Sequence, residues 1–151
     1  MSAEITLHAT LTTGMRFEIE TASGHDLAVD TTSQDSEQTS APSPMETLLA
    51  ALAGCSGISM LSILRKKRQD ITHYEVHVCG KQAETYPHVF IEIRVEHILM
   101  GHALQEVAAQ RALQLTEERY CSVSVMLSKI VTLTQTVRII EEEKDQDLTI
   151  I

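Results

Sequence analysis

Between Thr47 and Leu64 no residue carries a charge (TLLAALAGCSGISMLSIL), and this run constrains the fold more than any other, because a segment apolar on every face must be covered on every face. It opens on the marks of a helix start. Ser43 stands at the N-cap, Pro44 at the first helical position and Glu46 at the third, the spacing of a capping box. The pattern predicts a helix from Pro44 to about Arg68, ending in RKKR, where cations meet the negative end of the helix dipole. The run is long enough to raise the question of a membrane span. Gly54, Ser56, Gly57, Ser59 and Ser62, with the polarity of the remaining chain, favour instead a central helix covered on all sides, its small residues admitting a second helix or a sheet at close range. No membrane partner is expected.

Strands flank this helix. Ile5, Leu7 and Ala9 alternate with Glu4, Thr6 and His8, and Phe17 and Ile19 with Arg16, Glu18 and Glu20; turn signals at Thr13-Gly14 and Ser23-Gly24 make a meander ending near Asp30. The polar stretch from Thr31 to Pro42 reads as a loop. After the helix, Tyr74, Val76 and Val78 alternate with Glu75, His77 and Cys79. A turn over Gly80 to Pro87 then leads to Val89, Ile91, Ile93 and Val95 alternating with Phe90, Glu92, Arg94 and Glu96. A second long helix is predicted beyond Met100-Gly101, with Leu104, Val107, Ala108, Arg111, Leu115 and Glu118 on one stripe and Ala112 beside it. Cys121 opens a short third helix, and Ile130 to Ile140 is a strand. These elements predict one α+β domain over residues 1–140, antiparallel sheets wrapping two long central helices, followed by an acidic, solvent-facing tail, 141–151. So apolar a helix in so small a domain also predicts a homodimer.

The net charge of −9, with 21 acids against 12 bases, argues against a nucleic-acid partner, which needs a basic surface. The first ten residues show neither the basic start nor the apolar core of a secretory leader, so a reducing cytoplasmic setting is expected. There, three cysteines point to redox, catalytic or metal chemistry before structural bridges, although a free cysteine is also a small buried hydrophobe. The most informative are Cys55, inside the apolar run, and Cys121, just after the second helix: brought together, they would form a dithiol able to cycle through a disulfide. Cys79 shares a strand face with His73, Glu75 and His77, a ligand-like set, but residues spaced by two along one strand do not readily converge on one ion, and a solvated face is the expectation. No metal or cofactor is assigned. His8, His25, His88, His97 and His102 lack ligand spacing and are expected at the surface.

The segment SPMETLLAALAGCSGISMLSILRKKR, followed beyond the hairpin by QRALQLTEERYCSVSVML, resembles the OsmC/Ohr family of osmotically inducible and organic hydroperoxide resistance proteins, over nearly the whole chain from about Thr6 to Ile140. The specific matches are Pro44, Glu46, Leu48, Leu49, Ala51, Leu52 and Cys55 in the first signature, and Cys121, Val123, Ser124 and Leu127 in the second. The resemblance implies an intertwined homodimer that reduces organic hydroperoxides with a cysteine pair at the subunit interface: Cys55 peroxidatic, Cys121 resolving, regenerated by an external dithiol. It also implies an arginine from the N-terminal sheet, for which Arg16 is the one basic residue before the central helix, and a glutamate at the helix start, Glu46. In the best-studied peroxidase branch that glutamate directly follows the proline. Here Met45 takes that place, and one residue turns a helical side chain by about 100°, so Glu46 has a second reading as a cap alone.

A thiolate, not a thiol, attacks the O–O bond. Burial raises a thiol pKa, so Cys55 needs a compensating charge, which Arg16 would supply with Glu46 holding it. Cys121, at a helix N-terminus, is expected to have its pKa lowered. Leu48, Leu52, Met60 and Met126 would favour hydrophobic peroxides, although such side chains are more often plain core. The other reading is a protein of the same fold that binds a hydrophobic small molecule between its helices without turnover.

Overall fold

The structure, a computed structural model, describes residues 2–35 and 37–144. It divides into two compact units, residues 1–48 and 49–151. The first holds the predicted meander: β1 (Leu7–Thr13), β2 (Arg16–Thr21) and β3 (Asp26–Val29), antiparallel in the order β1-β2-β3, with Ala9 opposite Ile19 and Phe17 opposite Val29. Every residue of β1 is exposed, Leu7 and Leu11 included.

The long helix α1 runs Pro44–Lys66. Its start is the capping box read from the sequence: the Ser43 hydroxyl accepts from the Glu46 amide at 3.2 Å, and the Glu46 carboxylate accepts from the Ser43 amide at 2.8 Å. The helix is long and apolar enough to cross a membrane, with a window of mean hydropathy 1.9. It is not covered on all sides by its own chain. Burial follows one stripe at every fourth residue, Leu52, Ser56, Met60 and Leu64, while Ile58 is 74% exposed.

That stripe lies in the second unit with β4 (Asp70–Gln82), β5 (Phe90–His102) and β6 (Thr132–Glu141), ordered β4-β5-β6. β4 and β5 are the predicted hairpin, paired from Asp70–His102 to Gln82–Phe90. The turn falls later than expected: Gly80 stays in the strand, where a Cβ would stand 2.5 Å from the Phe90 ring. At Gly57 a Cβ would meet the Val76 side chain at 3.3 Å, so here the small residue does admit a sheet.

Two expectations fail in this unit. The sheet is mixed, because β6 runs parallel to β5, Glu92 through Gly101 pairing with Thr132 through Glu141. Parallel neighbours require a crossover, and the helices between them provide it. The second expected long helix is shorter and broken: α2 (Glu106–Leu115) passes into a π turn, Thr116–Tyr120, before Cys121 caps α3 (Ser122–Leu127). Its buried face is Ala108, Ala109, Ala112 and Leu113, one residue off the predicted stripe, and Val107 is 82% exposed.

Two apolar clusters form the core. One joins Met60 and Leu64 to Leu99, Ala109, Ala112 and Leu113; the other joins Leu52 to Ile93, Val95, Cys121 and Leu127. The start of the expected acidic tail is anchored: Glu141 ends β6 and accepts from the Ala103 and Leu104 amides, and the Glu142 amide donates to the Gly101 carbonyl at 2.8 Å. The rest of that tail, beyond Lys144, lies outside the described residues.

Candidate active site

Cys55 sits on the flank of the buried stripe of α1 and packs, half-buried, against the second cluster, whose members include the fully buried Cys121. Both thiols are free. The elements that bring them together are separated by the whole hairpin and α2. The π turn sets the second position: the Cys121 amide donates to the Thr116 carbonyl at 3.0 Å, closing the wider turn that ends the helix and leaves Cys121 in extended conformation as the N-cap of α3. Ser59 on α1 ties the same turn down by donating to the Tyr120 carbonyl at 3.2 Å.

The Cys121 sulfur accepts the Ser124 amide at 3.3 Å, as a side chain at a helix N-cap should. The expected fall in its pKa does not follow. Burial pushes the Cys121 thiol up, the adjoining Cys55 thiol pushes it further, and the hydroxyl and amide of Ser124 pull it down without prevailing. Cys121 is therefore a neutral thiol at physiological pH, in the cluster against which a second thiol, more open to solvent, packs.

Behind Cys121 lies a polar chain that composition and spacing did not reveal. His97, expected at the surface, is fully buried. The Tyr74 hydroxyl meets its Nδ1 at 2.6 Å, its Nε2 lies 3.1 Å from Gln135 Oε1, and Gln135 Nε2 donates to Ser124 Oγ at 3.0 Å. Burial holds His97 below its usual value of 6.5, and raises Tyr74. Because Gln135 Nε2 donates to Ser124, its Oε1 accepts the His97 Nε2 proton, and Nδ1 of the neutral ring accepts from the Tyr74 hydroxyl. The sign of the stability effect follows. As pH falls below about 6.5 the unfolded chain protonates this histidine before the folded one does, so stability is full above that pH and declines below it, ahead of the carboxylates. Urea midpoints are expected to be lower at pH of about 5.5 than at about 7.5, and His97→Gln to shrink that difference; an undiminished difference in the variant would assign it to other groups.

Arg16 and Glu46 both belong to the first unit. Arg16 pairs with Glu18 at 2.7 Å and donates to the Ser40 carbonyl at 3.0 Å. Asp30 stands in the same cluster, its pKa lowered chiefly by the Ser40 amide and hydroxyl, with a smaller contribution from Arg16. Glu46 completes the helix cap, and its bond to the Ser43 amide holds its carboxyl below the usual range. Of the proposed apolar lining, Leu52 packs in the cluster of Cys121, Met60 belongs to the other cluster, and Leu48 and Met126 are exposed.

Cys79 is exposed on the outer face of β4, with the Arg94 guanidinium 3.7 Å from its sulfur. On the same face Glu75 bridges His73 at 2.8 Å and His77 at 3.0 Å, which lowers its pKa. Among the described residues no group of three or more His, Cys, Asp and Glu is placed to hold a metal ion.

A helix and a mixed sheet, with Cys121 in an apolar cluster and Cys55 packed against it, make this a protein of the α+β class. A sequence model of OsmC-like proteins matches residues 33–136, and the chain belongs to that family. Over 127 residues it is 41% identical to Protein YhfA of Escherichia coli (strain K12), across 84% of this chain and 92% of that protein. The crystal structure of a hypothetical protein from Aquifex aeolicus is similar with a TM-score of 0.82 at 26% identity, covering 94% of this chain and all of that one. An organic hydroperoxide resistance protein, OsmC, from Legionella pneumophila shares the fold, with a TM-score of 0.67 at 15% identity over 89% of this chain and 96% of that one.

Proposed function

We propose that this protein is a cytoplasmic thiol peroxidase that reduces organic hydroperoxides through Cys55 and Cys121, with a role in the oxidative stress response. The observation that carries the proposal is the graded pair: Cys55, half-buried and partly open to solvent, packs against the cluster that holds the fully buried Cys121. The names of relatives with this fold, among them the Legionella protein, support the substrate class.

In this reading the Cys55 thiolate attacks one oxygen of ROOH, the O–O bond breaks, and RO⁻ leaves to be protonated to the alcohol, giving a sulfenic acid at Cys55. Cys121 sulfur then attacks that sulfur. The S–S bond forms, the S–O bond breaks, and the hydroxide leaves with the Cys121 proton as water. Two thiols of an external dithiol reduce the disulfide and are themselves oxidised. The family resemblance would give Arg16 the positive charge for the first step; its guanidinium is held by Glu18 and the Ser40 carbonyl, while Glu46 serves the helix cap. The protein works as a homodimer without a cofactor: the exposed Ile58, Met126, Leu7 and Leu11 support a second copy as the cover.

A second reading, binding a hydrophobic molecule without turnover, is favoured by an open groove of about 430 Å³ beside α1, lined by Ile58, Ser59, Ser62, Ile63, Leu115 and Tyr120 with Lys66 and Lys67. One experiment separates the two. In a Cys79→Ser background, one equivalent of cumene hydroperoxide is expected to remove both remaining thiols of the reduced protein rapidly. Loss no faster than in the denatured chain would leave only the binding reading.

A further inference from the structure

We propose that Ser59 is a positioning residue for the Cys55–Cys121 disulfide: its hydrogen bond to the Tyr120 carbonyl, one helical turn from Cys55, fixes where along α1 the peptide that carries Cys121 is held. This role rests on the peroxidase reading for the chemistry it serves, and on an observed hydrogen bond for its geometry.

The bond exists because the second helix breaks where it does. In a continuing α-helix the Tyr120 carbonyl would accept from the Ser124 amide, and in a continuing π turn from the Val125 amide. Cys121 takes both: its sulfur accepts the Ser124 amide at 3.3 Å, and its carbonyl accepts the Val125 amide at 3.0 Å. The Tyr120 carbonyl is left as a helix end in need of a donor, and the Ser59 hydroxyl supplies it at 3.2 Å. A serine inside a helix ordinarily returns its hydroxyl to a carbonyl three or four residues back, as Ser56 does to Ala53. For Ser59 the carbonyl four back is that of Cys55. Its hydroxyl instead reaches a residue 61 positions along the chain.

Ser59 stands four residues after Cys55 on α1, so the two share a face, about 5–6 Å apart between Cβ atoms. Tyr120 immediately precedes Cys121, and Cys55 packs against the cluster that contains Cys121. The serine–carbonyl bond and the two thiols are therefore adjacent rungs between the same two segments. Leu52, Ile93, Val95 and Leu127 press those segments together, but apolar contact is non-directional and lets one slide along the other. A disulfide is stricter, needing its Cβ atoms about 3.5–4.5 Å apart. A directional bond one turn away removes most of that sliding. When Cys55 carries a sulfenic acid, the Cys121 sulfur attacks the Cys55 sulfur, the S–S bond forms, the S–O bond breaks, and the hydroxide leaves with the Cys121 proton as water. Ser59 moves no proton in this step; it acts only on the approach of the two sulfurs.

The test is the equilibrium of the dithiol with glutathione in a Cys79→Ser protein, where two protein thiols and one glutathione disulfide give the protein disulfide and two glutathione thiols. Ser59→Ala removes one hydroxyl and favours the helix, so folding is retained. It is expected to lower the equilibrium constant for disulfide formation about fivefold, as the loss of one hydrogen bond would, which is a reduction potential about 20 mV less negative. Ser59→Thr, which keeps the hydroxyl, is expected to hold the wild-type constant. With cumene hydroperoxide, the Cys55 sulfenic acid of Ser59→Ala is expected to persist about fivefold longer before the disulfide appears. A constant that does not move in Ser59→Ala, or that moves as far in Ser59→Thr, overturns the proposal, as does a wild-type protein that forms no Cys55–Cys121 disulfide in glutathione. The equilibrium contains no peroxide step, so failure of the peroxidase reading alone would show as a wild-type protein inert to peroxide whose glutathione equilibrium still shifts with Ser59→Ala.

Discussion

Cys55→Ser is expected to end peroxide-dependent loss of Cys121, cutting its rate by at least about a hundredfold, because a serine hydroxyl is not ionised near neutral pH and is a poor nucleophile toward an O–O bond. Cys121 does not inherit the first step. It is fully buried and its pKa is raised by its surroundings, so it has neither access nor a substantial thiolate population. Cys121→Ser is the informative contrast: Cys55 should still be oxidised by cumene hydroperoxide but stop at the sulfenic acid, trappable with dimedone. Cys79 must be replaced in both variants, so that an exposed third thiol does not enter the count. Survival of rapid Cys121 oxidation in Cys55→Ser would remove Cys55 from the first step.

The second large effect is on stability. Gly101→Ala is expected to cost about 3 kcal/mol, at the upper end for one methyl group forced into packed surroundings, lowering Tm by roughly 10 °C. A Cβ at this position would lie 2.0 Å from the Asp70 carbonyl oxygen and 3.0 Å from the Ile71 Cα. Those are backbone atoms, so no side-chain rotation relieves the clash. β4 would have to move away from β5 at the place where the register already shifts between Ile71 and His73. Gly54→Ala is the control: a Cβ there meets nothing within 4 Å, and alanine favours the helix. Comparable melting of the Gly101 and Gly54 variants would contradict the close approach of the two strands.

The elements most legible in the sequence were those fixed by local chemistry. Ser43, Pro44 and Glu46 announced the start of α1, and the alternation from Tyr74 to Cys79 gave a strand with its solvated face correctly placed. The pairing of the two cysteines rested on resemblance, since nothing local specifies which distant segment a sulfur will meet. The errors have physical causes. Alternation says that Thr132–Glu141 is a strand but carries no information on its direction, so the parallel partner of β5 was missed. The stripe of α2 slipped because its buried face is built from small residues, Ala108, Ala109 and Ala112, while the larger Val107 faces solvent.

His97 was misplaced by treating a polar residue as a surface residue. The signal was present in its phase. It alternates with Ile93, Val95 and Leu99 on the buried face of β5, as Gln135 does with Leu133 and Val137 on β6 and Tyr74 with Val76 and Val78 on β4. Polar residues on inward positions of three adjacent strands are what a buried network looks like in a sequence.

The central claim is that Cys55 and Cys121 act on each other. Reduced protein treated with one equivalent of cumene hydroperoxide, alkylated and digested without reductant, should yield one peroxide-dependent cross-linked species joining the peptides of Cys55 and Cys121, abundant within seconds and absent after reduction. A linkage that runs instead through Cys79, or oxidation that leaves Cys55 and Cys121 unjoined, would contradict the account.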